Sequence, residues 1–83
     1  MADPKYICVN SDHLGPVCYI FPAFVSHRDM ALLVGGEVLG AGFVKLAAQD
    51  TRVYGGSDSL GVKSDPKHAR MIQRQYGLTS EWD

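Results

Sequence analysis

The sequence predicts an α+β fold: two β-hairpins in one antiparallel sheet with two helices packed on one face, in the order ββαββα. Three observations carry that expectation. Runs rich in β-branched and aromatic residues come in pairs, "KYICVN" with "PVCYIF" and "GFVKL" with "RVYGG", each pair separated by turn-forming residues. Two further stretches, "FVSHRDMALLVGG" and "SDPKHARMIQRQYG", carry helix start and stop signals. The chain has 83 residues, 46% hydrophobic and 20% charged, which suits a single domain over residues 1–83 rather than a disordered segment.

In the first hairpin the turn "SDHLG", centred on His13, sets Cys8 opposite Cys18 on one face of the sheet. These are the only two cysteines. They are too few for a disulfide framework and too widely spaced for a zinc pair, so they are expected as reduced core residues, with a reversible disulfide as the alternative. The first helix is expected over residues 27 to 34. Ser26 caps it, Asp29 completes a capping box, Val25 packs on Met30 as a staple, and Gly35 and Gly36 end it. "EVLGAGFVKLA" is β-prone but holds Gly40 and Gly42, which in a strand mark a bulge or a close backbone approach. It turns through "AAQDT" into "RVYGG". The second helix is expected over residues 66 to 76, with Asp65 as cap, Pro66 in the first helical position and Gly77 beyond the end. Residues 78–83, "LTSEWD", are expected as a flexible tail whose Trp82 can dock back.

Charge and hydropathy narrow the function classes. A net charge of -1 argues against a strongly electrostatic nucleic-acid binder. No apolar run approaches the roughly 20 residues that cross a bilayer, and "MADPKYICV" is unlike a secretory leader, so no membrane association and a cytoplasmic location are expected. A domain this small buries only roughly 60 to 65% of its unfolded surface, which makes a homodimer worth considering.

The stretch "YGGSDSLGVKSDPKHARM" raises the question of chemistry. A phosphate loop needs Gly-x-x-x-x-Gly-Lys, and here Val62 intervenes between Gly61 and Lys63. The Gly-x-Ser-x-Gly elbow of a hydrolase is missing too. Ser57 or Ser59 would need a base from His13, His27 or His68, and serines between a strand and a helix more often make turn and cap hydrogen bonds. Asp65 at the helix start disfavours an anion there. No enzyme, cofactor or metal site is expected. The candidate binding residues are Ser57, Asp58, Ser59 and Lys63 in the loop, contributing shape. Lys67, Arg70 and Arg74 on the second helix contribute orientation and encounter rate. Those cations are expected with Met71 on one side of the helix, opposite Ala69, Ile72 and Tyr76. They also define the rival reading, a nucleic-acid accessory protein. Tyr6, Tyr19, Phe21, Phe24, Phe43 and Tyr54 exceed what so small a core needs, so an exposed subset would form a protein-binding face.

Gly42, Phe43 and Val44, followed by Tyr54, Gly55, Ser57, Ser59, Leu60 and Gly61, resemble a pattern of Gly-Phe-Val and Tyr-Gly-x-Ser-x-Ser-Leu-Gly in short proteins of tailed phages and prophages. What the resemblance implies is a context: a small non-enzymatic protein that binds and interferes with a host protein or an immune complex, in its sharpest version an anti-CRISPR-like inhibitor. Its partner would be that host or immune protein.

Overall fold

Alternation along the first strand, Lys5–Ser11 (β1), sends Tyr6 and Cys8 to one side and Ile7 and Val9 to the other, and all four are buried. A strand apolar on both sides needs two covers. In this computed structural model, which describes residues 2–47 and 50–77, each side receives one helix. The expected tail 78–83 with Trp82, and Ala48 and Gln49 of the expected second turn, lie outside the described residues.

Gly15–Phe21 (β2) folds back antiparallel on β1 with Cys8 opposite Cys18, as the hairpin reading expects. His27–Val34 (α1) follows, and its cap is the expected one: Ser26 Oγ accepts from the Asp29 N–H at 3.0 Å. Glu37–Lys45 (β3) pairs antiparallel with the other side of β1, and Arg52–Tyr54 (β4) pairs with the end of β3, giving the order β2-β1-β3-β4. Gly56–Ser57 (β5) and Val62–Lys63 (β6) form a separate two-stranded ribbon. Pro66–Gln75 (α2) ends the described chain, started by Asp65, whose Oδ1 accepts from the Lys67 N–H at 3.1 Å.

The α+β class and the antiparallel sheet with two helices stand, but the finer layout differs from expectation. The order is ββαββββα, because the glycine-rich 55–65 segment closes into a ribbon instead of remaining a loop. The two hairpins are not independent units, since β1 lies between β2 and β3 and the long third strand pairs mainly with it. The helices also occupy opposite faces. Ile72 and Met71 of α2 pack with Tyr6, Cys8, Cys18 and Val44, whereas Met30, Ala31 and Val34 of α1 pack with Ile7, Val9, Phe21 and Ala41. Finally, Cys8 and Cys18 are joined by a disulfide, which replaces the reduced pair expected from their number and spacing. Register had placed them face to face; pairing follows from that proximity.

Gly40 and Gly42 serve both purposes that glycines in a strand suggest. The register of β3 on β1 shifts between Cys8 and Val9, a bulge beside Gly40. A Cβ on Gly40 would lie 2.5 Å from the His68 ring, and one on Gly42 would collide with the Tyr54 carbonyl oxygen. Gly42→Ala is therefore expected to lower the unfolding free energy by about 1–3 kcal/mol, read from urea denaturation. An unchanged midpoint would mean that the ribbon and β4 do not press against β3 as described.

Candidate functional site

Three surfaces and one buried network hold the chemistry-bearing side chains. The network ties α2 to the sheet. Tyr6, fully buried on β1, places its hydroxyl 3.2 Å from His68 Nδ1 and accepts the Asp65 N–H at 3.2 Å. Tyr6 Oη thus joins the Asp65 N–H and His68 Nδ1, and the tautomer of the His68 ring sets which side donates in the second contact. On the opposite face His27 is held edge-on to Phe21 and Phe43, and its Nε2 donates to the Gly42 carbonyl at 3.0 Å. Both imidazoles are thus satisfied core groups rather than bases aimed at a serine. His13 lies exposed in the first turn.

Burial pushes both His27 and His68 below the ordinary histidine value. For His27 the Gly42 hydrogen bond opposes the shift; for His68 the Asp65 carboxylate does. Burial also raises the Tyr6 phenol, which keeps it neutral.

The 55–65 ribbon is a built turn. Ser57 is buried, and its Oγ lies 3.2 Å from Ser59 Oγ and accepts the Leu60 N–H at 3.3 Å. Its carbonyl accepts the Gly61 N–H at 2.9 Å, and the Ser64 N–H closes the base on the Gly55 carbonyl at 2.9 Å. Among the described residues no histidine hydrogen-bonds either serine. Leu60 and Val62 pack into the α1-side cluster, leaving Asp58, Ser59 and Lys63 exposed. Ser57 therefore organises the turn from inside, and only the other three proposed loop residues are presented to a partner.

On α2, Lys67, Arg70 and Arg74 are exposed. Met71 is not with them: it packs on the core beside Ile72. The inward face of α2 carries His68 and Ile72, with Gln75 reaching the edge of β2, while Tyr76 is 45% exposed. Lys67 Nζ sits 3.5 Å from Asp65 Oδ2, so part of the cationic row is answered within the chain.

The surface that the sequence reading passed over is α1. Leu32 and Leu33 are 77% and 79% exposed, and Phe24, in the turn closed by the Val25 N–H on the Pro22 carbonyl, is 89% exposed. Phe24 belongs to the exposed aromatic subset expected above, and the two leucines extend it. A signal was present: Met30 to Val34 are five consecutive apolar residues, and at roughly 100° per residue they surround the helix. Only Met30, Ala31 and Val34 face the sheet.

No family model, curated protein or solved structure matches this chain. Among the described residues no helix is long and apolar enough to cross a membrane, and no group of three or more His, Cys, Asp or Glu is arranged to hold a metal ion.

The two buried histidines set a pH dependence. Each ring binds its proton less readily in the folded chain than in the unfolded chain, whose histidines titrate near 6.5. Below pH 6.5 the unfolded state therefore takes up more protons, and stability falls as pH drops towards the folded values. Urea unfolding at steps between pH 7.5 and about pH 5, above the usual carboxylate range, should show a declining free energy. NMR titration should place both ring midpoints below the 6.5 of an unfolded-chain histidine. A flat stability profile would contradict the burial of neutral imidazoles.

Proposed function

We propose that this chain is a non-enzymatic binding module that engages a protein partner through the outer face of α1. The observation that carries the reading is the exposure of Phe24, Leu32 and Leu33 together on one short helix and its entry turn. Large apolar side chains held out in water on a small domain favour burial against a partner, and such side chains can form the centre of an interface of about 800 Å² per side. The titratable side chains of the interior are meanwhile committed to structural hydrogen bonds.

The ribbon residues Asp58, Ser59 and Lys63 and the α2 cations Lys67, Arg70 and Arg74 act in this reading as a second contact zone. They tune orientation and encounter rate more than affinity. The sharper version draws on the resemblance of the Gly42–Val44 and Tyr54–Gly61 segments to small phage proteins. In that version the partner is a host protein or an immune complex in the host cytoplasm, and the chain acts by occupying it.

The test is a tagged pull-down from nuclease-treated host lysate at low and high salt, with wild type, Leu32→Asp/Leu33→Asp, and Lys67→Glu/Arg70→Glu/Arg74→Glu compared. The leucine variant is expected to weaken capture by more than about tenfold, as loss of two central apolar contacts does. The charge variant should keep the partner at high salt. Capture that survives the leucine changes but vanishes with the charge changes, with salt or with nuclease would reverse the reading in favour of nucleic acid.

A further inference from the structure

Cys18 is held from two directions. Its side chain is bonded to Cys8, and both sulfurs are shut off from solvent in the cluster that contains Tyr6, Val44 and Ile72. Its backbone is held by the end of α2. Gln75 Oε1 accepts the Cys18 N–H at 2.9 Å, Gln75 Nε2 donates to the Cys18 carbonyl, and Tyr76 Oη donates to the same oxygen at 3.1 Å. Because these backbone groups point away from β1, Cys8 and Cys18 form a non-hydrogen-bonded pair, the arrangement in which facing residues come closest. Their Cα atoms are 4.1 Å apart. Gln75 thus takes the place that a further strand would take on the free edge of β2. Pro16, on the same edge, has no N–H to offer.

We propose that the Cys8–Cys18 disulfide and the Gln75/Tyr76 clamp form a redox-sensitive latch on the end of α2. This goes beyond the binding role of α1 and uses the opposite face of the sheet. While the latch is closed, a reductant has no line of attack on either sulfur. The bond becomes reachable when the last turn of α2 lifts from β2, along the groove where Pro16, Met71, Arg74 and Gln75 meet. A dithiol then attacks one sulfur and the Cys8–Cys18 bond breaks. Two electrons and two protons pass to the protein as two thiols, and the reductant leaves as its own disulfide. Unbonded sulfurs need a van der Waals separation in a space already filled by Tyr6, Val44 and Ile72, so β2 moves out from β1 and Cys18 leaves the clamp. Reduction frees the end of α2 and bares the β2 edge; oxidation closes both again.

Hydrogen exchange of the full chain, oxidised and then reduced with dithiothreitol, tests this together with the rate of that reduction. Reduction is expected to speed exchange in β2 and in residues 71–77 while leaving α1 and β4 unchanged, and Cys8→Ser/Cys18→Ser should reproduce that pattern without reductant. Gln75→Ala removes two hydrogen bonds of the clamp and leaves the disulfide intact, so dithiothreitol should reduce it roughly tenfold faster than wild type. Exchange that rises over the whole chain at once would make the bond a global staple and overturn the latch. So would unchanged protection of β2 and α2 on reduction, or equal reduction rates for Gln75→Ala and wild type.

Discussion

Tyr6, Ile7, Cys8 and Val9 are consecutive and excluded from water, so each face of the sheet must carry a cover wherever β1 runs. One helix could satisfy one face only. The chain meets the requirement by placing β1 between β2 and β3 and sending α1 and α2 to opposite sides. The two glycines of β3 follow from the same demand. Gly40 and Gly42 lie beside Cys8 and Tyr6 on the α2 side, where the His68 ring crowds the first and the Tyr54 carbonyl oxygen the second too closely for a side chain.

Polar groups then fix how the covers sit. Tyr6 Oη joins the first strand to the cap of α2 through Asp65 and His68, His27 joins α1 to the backbone of β3, and Gln75 and Tyr76 join the end of α2 to the backbone of β2. Among the described residues every buried side-chain nitrogen and oxygen has a partner. Each contact satisfies a group that would otherwise be costly to bury, and each sets the position of a helix along the strands. The orientation of α2, and with it the outward direction of Arg70 and Arg74, rests on contacts at both ends of the helix.

The covers differ in what they leave outside. α2 has a polar outer face and a narrow apolar one, so it packs and is finished. From Met30 to Val34 α1 is apolar all round, and the sheet takes only part of that surface. Leu32 and Leu33 remain in water along with Phe24, which gives a partner something to bury. The ribbon is the reverse case: its buried hydroxyl and backbone hydrogen bonds are spent on its own shape, and it presents a small polar surface.

Local signals in the residues determined the helices at His27–Val34 and Pro66–Gln75, their caps at Ser26 and Asp65, the first hairpin and the Cys8 to Cys18 register, because caps, turns and strand alternation act over a few residues. They also marked Gly40 and Gly42 as places of bulge or close approach. For the candidate site, the exposure of Lys67, Arg70 and Arg74 was legible from helical spacing, whereas the burial of Ser57 and the packing of half-buried Met71 on the core were not. Only the tertiary structure decided the helix faces, the pairing of β3 with β1, the folding of the 55–65 segment into a ribbon, the disulfide and the Gln75 clamp. Those depend on residues distant along the chain competing for the two faces of one strand. No local pattern says which residue arrives first at a surface that several could cover.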